Sequence, residues 1–373
     1  MELNKMTQKT YKPAHKTVED LMPYQTGKPI DEVAREMGLE RIIKLASNEN
    51  PLGLSPLAKK AAAEAMENTN RYPDGGTYEL RNRLAEKHKV SPDAIVLGNG
   101  SNEILELLVQ LLLGKDDETL YAWPAFIVYR LATLAHGAKG VEVPLDKELR
   151  HDLASMAGAV TANTKIVFVA NPNNPTGTYV TGQELNEFMD RLPDDVLVVL
   201  DEAYFEYAQH LDDFPDGMDL FRQGRSMVVT RTFSKAYGLA GMRIGYGVMP
   251  EPLAQLLNRI RQPFNVNSVA QAAAMAAMDD EEFLARSLGL NAIEMERLTG
   301  ALEAMGLGVI PSAANFLLID LKGRSGDEIC QDLLERGVIV RPMAPYGLPE
   351  TVRVTVGIEE ENSLFLSSMK EIL

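Results

Sequence analysis

The apolar residues of this chain come in short continuous runs rather than in strict alternation. Lys165–Ala170 (KIVFVA), Val196–Leu200 (VLVVL) and Ser226–Thr230 (SMVVT) are the strongest of them. Runs of this kind belong to strands covered on both faces. Weaker runs at Ala94–Leu97, Glu118–Tyr121 and Gly140–Val143 fit the same reading. Stretches of helical spacing separate most of them: Tyr78–Lys89, Glu103–Leu113 and a segment after Pro124, with Pro56–Glu67 ahead of the first. Strands alternating with helices predict a mostly parallel sheet with right-handed crossovers. Ligands of such sheets collect beyond the carboxyl ends of the strands, so chemistry is expected directly after the apolar runs.

The pattern changes after about residue 262. Residues 268–305 are rich in Ala and Met and read as helical. Residues 309–320, 338–342 and 351–356 read as strands, and 324–336 and 359–373 as helices. At the other end, Pro13, Pro23 and Pro29 interrupt any long helix. The expected division is an arm over 1–49 that contributes to the small domain, the dimer and the substrate site. A large domain over 50–262 and a small domain over 263–373 follow. The expected fold class is α/β: a central, mostly parallel sheet covered by helices, plus a smaller α+β domain.

Composition narrows the function. With 45% hydrophobic and 24% charged residues the chain is not globally disordered. Lys and Arg total 37 against 53 Asp and Glu, a net charge of −16. That sign is wrong for a phosphate-tracking nucleic-acid binder, and no Lys/Arg-rich run compensates. Cys330 is the single cysteine, which excludes an intrachain disulfide and a cysteine zinc cluster. The five histidines show no metal-ligand spacing, so no metal is expected. No secretory apolar region opens the sequence and no apolar stretch is long enough for a membrane helix. The expectation is a cytoplasmic enzyme with no nucleic-acid or membrane partner.

The polar residues after the strands carry the chemistry. Asn171-Pro-Asn-Asn-Pro-Thr-Gly177 follows the first strong run, and Asp201-Glu-Ala-Tyr204 the second. Arg231-Thr-Phe-Ser-Lys235-Ala-Tyr-Gly-Leu-Ala-Gly-Met-Arg243 follows the third. Gly98-Asn-Gly-Ser101-Asn102 follows Ala94–Leu97 at a helix start, where backbone N–H groups can hold an anion. Taken singly, an Asp at a strand end is usually a cap and a Lys usually a solvated charge. Gly98-x-Gly100 lacks the third glycine of a dinucleotide fingerprint, since Glu103 stands there.

Together, NPNNPTG, DEAY and SKAYGLAGMRIGY resemble the fold-type I pyridoxal-phosphate aminotransferases. Thr232–Gly241 resembles the lysine signature of their histidinol-phosphate group. The likeness runs from Ser47-Asn-Glu-Asn-Pro51 to Arg353-Val-Thr-Val-Gly357 and includes Met22-Pro-Tyr24 and Asn70-Arg-Tyr-Pro73.

The resemblance implies the following roles. Lys235 would link to the cofactor and later move a proton, which needs an amine pKa lowered by burial or nearby cations. Asp201 would sit beside the pyridine nitrogen, and Tyr204 and Asn174 at the ring hydroxyl. Phe126 would stack on the ring; a tyrosine is common there, so a hydroxyl is lost. Ser101, Asn102, Ser234 and Arg243 would bind the cofactor phosphate, with Tyr72 reaching in from the other subunit of a homodimer. Arg353, Arg341, Tyr24 and Asn174 would bind substrate, including glutamate and its 2-oxo acid. Histidinol phosphate is the implied substrate. An aromatic or broad-range aminotransferase and a threonine-phosphate decarboxylase would share every cofactor residue.

Overall fold

The computed structural model describes residues 13–19, 21, 30–39 and 41–373. Tyr24 and the rest of Met22-Pro-Tyr24 lie outside the described residues. The strands, in chain order, are β1 (Ile43–Lys44), β2 (Ile95–Gly98), β3 (Glu118–Trp123), β4 (Lys139–Pro144), β5 (Thr164–Ala170), β6 (Leu197–Asp201), β7 (Met227–Thr232), β8 (Gly245–Val248), β9 (Gly308–Ile310), β10 (Phe316–Asp320), β11 (Val338–Ile339), β12 (Arg341–Pro342) and β13 (Thr351–Thr355).

Among the described residues the main sheet has seven strands in the order β2-β8-β7-β6-β5-β3-β4. All are parallel except β8, which runs antiparallel to both neighbours. The continuous apolar runs are explained by burial on both sides. Along β5, Ile166 and Phe168 face one helical layer, while Val167 and Val169 face the other. The helices on either side begin where the residues dictate. Ser55 accepts the backbone N–H of Ala58 ahead of Pro56, and Thr181 and Glu184 form a capping box.

Four differences from the sequence reading have local causes. β8 is Gly-Tyr-Gly-Val, and glycines conceal a strand because they lack side chains to pack. They are needed there, since a Cβ on Gly245 would lie 2.4 Å from the Ser101 nitrogen. The apparently continuous helix 268–305 is two helices, Ser268–Asp279 and Glu281–Ala304, because Asp280 leaves helical geometry and caps the second. Residues 309–320 split into β9 and β10 around Pro311–Asn315. Residues 338–342 divide between two sheets: β11 pairs with β1, and β12 with β13.

The second sheet, β12-β13-β10-β9, is antiparallel and packs on the helices Glu281–Ala304, Gly326–Glu335 and Glu359–Ile372. The helix Ser268–Asp279, placed by sequence with the small domain, instead packs against Pro56–Met66. Its alanines Ala270, Ala273 and Ala274 join the main-sheet core. Small side chains let the two helices approach closely.

Candidate active site

A cavity of about 250 Å³ opens beyond the carboxyl ends of the parallel strands. It is lined by Ser101, Asn102, Phe126, Asn174, Asp201, Tyr204, Ser234, Lys235, Arg243 and Arg353, all expected from the sequence. Ser47, Asn48, Glu49, Tyr129, Thr232 and Tyr346 also line it; sequence reading assigned none of these a role.

The wall at β2 is an anion cradle. Gly100 has φ +83, and a Cβ there would lie 2.6 Å from Nη2 of Arg243. Only glycine leaves room for the guanidinium against the start of the helix Ser101–Leu112. Arg243 donates to the Ala240 carbonyl at 3.0 Å and approaches Ser234 Oγ at 3.5 Å. A cation, the Ser101, Asn102 and Ser234 side chains and the first N–H groups of that helix thus line the same cavity.

Asp201 closes β6 at 3% exposure. Tyr129 donates its O–H to Oδ2 at 2.8 Å, and Thr230 donates to Oδ1 at 3.1 Å. Burial raises the Asp201 carboxyl above its ordinary value, opposed by these two hydroxyls and the Ala203 N–H. Phe126 stands edge-on to Tyr129, with centroids 5.7 Å apart.

Lys235 is half-buried, 3.4 Å from the Ser47 carbonyl, with Nζ 5.6 Å from the Tyr204 ring centroid. Burial, Arg353 and Arg243 lower its amine to about 8, against the opposing pull of Glu49 and Asp201. Burial pushes the Tyr204 hydroxyl up to about 12. That hydroxyl accepts from Asn48 Nδ2 at 2.8 Å.

Arg353 comes from the second sheet. Its Nη1 donates to Asn174 Oδ1 at 2.5 Å and its Nη2 to the Ala46 carbonyl at 2.8 Å. Arg341 lies directly across from it in the β12–β13 ladder, so the two share one face of that sheet. Both are buried, but Arg341 does not line the cavity. Tyr346 stacks on Trp123, with centroids 5.7 Å apart and planes 16° apart, and forms part of the cavity wall. Tyr72 stands apart, 82% exposed and stacked on Phe264 at 4.7 Å.

The donor set fits pyridoxal phosphate: an anion cradle closed by Arg243, an aromatic plate at Phe126, a buried carboxylate and an amine of lowered pKa. A seven-stranded, mostly parallel sheet with this constellation at its carboxyl edge defines a class of cofactor-dependent group-transfer enzymes. The chain belongs to the aminotransferase class I and II family, whose sequence pattern matches residues 40–367. It is 50% identical over 358 residues to histidinol-phosphate aminotransferase 2 of Pseudomonas fluorescens strain Pf0-1, covering 95% of this chain and 96% of that one. It is 49% identical to the histidinol-phosphate aminotransferase of Methylobacillus flagellatus, covering 96% and 97% of the two chains. The crystal structure of histidinol-phosphate aminotransferase from Sinorhizobium meliloti, in complex with pyridoxal-5'-phosphate, superposes with a TM-score of 0.88. That pair is 28% identical, covering 97% of this chain and 98% of the other.

Proposed function

We propose that this chain transfers the amino group of histidinol phosphate to 2-oxoglutarate, giving imidazole-acetol phosphate and glutamate, in histidine biosynthesis. The observation that carries the reading is the placement of the Lys235 amine in one cavity with Asp201 on the main sheet and Arg353 on the second sheet. The relatives at about half identity over nearly the whole chain favour histidinol phosphate as the donor.

Bound there, pyridoxal phosphate supplies an electron sink for the bond to hydrogen at the substrate Cα. Ser101, Asn102, Ser234 and Arg243 would hold its phosphate, and Phe126 would cover one ring face. Asp201 would hold a proton on the ring nitrogen, with Asn174 and Tyr204 hydrogen-bonding the ring hydroxyl. Lys235 Nζ, neutral above about pH 8, would take the proton from the substrate Cα and return it on the other side of the transfer. Arg353 would bind the anionic end of either substrate, the phosphate ester of one or the carboxylate of the other. Arg341 reinforces this positive field from the same sheet face, and Tyr24 is proposed to complete the site.

The chain is proposed to work in the cytoplasm as a homodimer with shared sites. Tyr72 is exposed and held by Phe264, and would reach the phosphate in the partner's cavity. The arm, large domain and small domain are proposed as the working units, with Ser268–Asp279 moving with the large one. Among the described residues no helix is long and apolar enough to cross a membrane.

The test is a set of half-reactions with histidinol phosphate, phenylalanine and phosphothreonine. Histidinol phosphate should give the highest kcat/KM; a large preference for phenylalanine would overturn the substrate assignment. Lys235→Ala should abolish both the visible absorbance of the lysine-bound cofactor and turnover.

A further inference from the structure

Asp201 presents an unusual problem in a buried site. Its carboxylate is stripped of water, and among the described residues no ion pair reaches it. Its ionised form is held by neutral donors, and Tyr129 is the best placed. The tyrosine is fully buried at 0% exposure. Its ring stacks on Phe168 at 4.6 Å with planes 4° apart and stands at 86° to the Phe126 ring. Phe168 and Tyr129 therefore form a fixed pair, with Tyr129 in the cavity wall. An ionised carboxylate only accepts, so the Tyr129 hydroxyl must point its hydrogen at Oδ2. Thr230 fixes Oδ1 in the same way from the neighbouring strand. The carboxylate is aimed before any cation arrives.

We infer that Tyr129, seconded by Thr230, is a positioning residue for the cofactor ring: its hydroxyl sets the charge and rotamer of Asp201, and its perpendicular ring contact sets the plane of Phe126. One side chain thereby couples the two contacts that locate a flat cationic ring, the plate over its face and the acid at its nitrogen. The residue acts through Asp201 and touches no substrate. This inference rests on the pyridoxal-phosphate reading above.

The test uses the apoenzyme titrated with pyridoxal phosphate and the holoenzyme in steady state. Tyr129→Phe keeps the stack on Phe168 and removes only the donor. The dissociation constant for pyridoxal phosphate should rise about tenfold, the scale of a lost buried hydrogen bond to a charged group. In the holoenzyme kcat should fall by a similar factor with KM for both substrates unchanged. In an Asp201→Asn background the same change should cost less than about twofold, because its target is gone. Equal cost in both backgrounds, or unchanged cofactor affinity, overturns the inference. Should Tyr129→Phe not fold, Thr230→Val tests the same device: it must weaken cofactor binding in the native background and not in Asp201→Asn. If Asp201→Asn itself alters neither affinity nor turnover, the cofactor reading falls; if it alters both while Tyr129→Phe does nothing, only the positioning role falls.

Discussion

Asp201 and Glu202 are neighbours in the chain, both buried, and they face opposite sides of the same sheet. Glu202 meets a cation supplied by the chain itself. Arg231 donates to Glu202 Oε2 through Nε at 2.9 Å and Nη2 at 2.7 Å, and to Asp216 at 2.7 Å. The guanidinium also lies 3.4 Å from the Phe205 ring centroid, and Glu202 accepts the Gly217 N–H at 2.8 Å. That side is neutralised and closed. Asp201 meets only hydroxyl and backbone donors, and its free side faces a cavity. Two acids in equal burial thus have unequal roles. The one whose cation is missing from the fold is the one that waits for a ligand.

Exchanging each acid for its amide should separate the roles. Asp201→Asn is expected to lower kcat by about 10²–10³, the scale for losing one preorganised electrostatic partner. The unfolding midpoint of its apoenzyme should stay the same or rise, since a buried charge is removed. Glu202→Gln should do the opposite. It removes one of the two carboxylate partners of Arg231, with Asp216 remaining at 2.7 Å, and should cost about 1–2 kcal/mol in denaturant unfolding, with kcat of the folded fraction within a few-fold. The double change Glu202→Leu with Arg231→Met should not recover that stability, because it also leaves the Gly217 N–H without its acceptor and Asp216 without its cation. If Glu202→Gln proves catalytically crippled while stable, the contrast between the two faces is false.

A subtler expectation concerns the cations that stand near the open side without touching Asp201. Lys235 is held at about 8 by burial and by Arg353 and Arg243. The neutral amine is the nucleophile, so covalent capture of pyridoxal phosphate by the apoenzyme should accelerate with pH and level off above about 8. Arg353→Leu removes a cation that disfavours the charged amine. The midpoint of this profile should then move to higher pH, and an unmoved midpoint would mean that Arg353 does not act on Lys235.

The last expectation belongs to the closed side and shows only in acid. His88 is buried against the Tyr246 hydroxyl at 2.8 Å, and burial and Arg231 lower its pKa to about 3. The unfolded chain gains a proton near 6.5 that the folded one refuses. Its contribution is complete above that pH and is lost progressively as the pH falls toward 3. His88→Gln should flatten the acid limb of stability against pH relative to the parent; parallel limbs would place His88 in contact with water.

Much of this was legible from residue order. The apolar runs located β5, β6 and β7 to within a residue or two, because strands buried on both faces need uninterrupted apolar side chains. The polar residues after them fell where ligands of parallel sheets bind, and ten of the expected residues line one cavity. Elements hidden by their composition or by a mid-run break were not legible: the glycine-rich β8, the interruption at Asp280, and the separation of β11 from β12. Each depends on what a segment packs against, not on its own periodicity.

The same boundary runs through the site. Residue order alone put Asp201, Lys235, Asn174 and Arg243 after the apolar runs, and the chemistry expected of them came from the resemblance to a family. Only the tertiary structure decided which acid would be neutralised, since Arg231 and Glu202 are distant in sequence and meet through strand pairing. It likewise brought Tyr129 under Asp201, set Arg341 opposite Arg353, and left Tyr72 on the surface. A strand's pattern shows that its faces are buried, but electrostatic partners are chosen by distance in space, and that distance exists only once the sheets have formed.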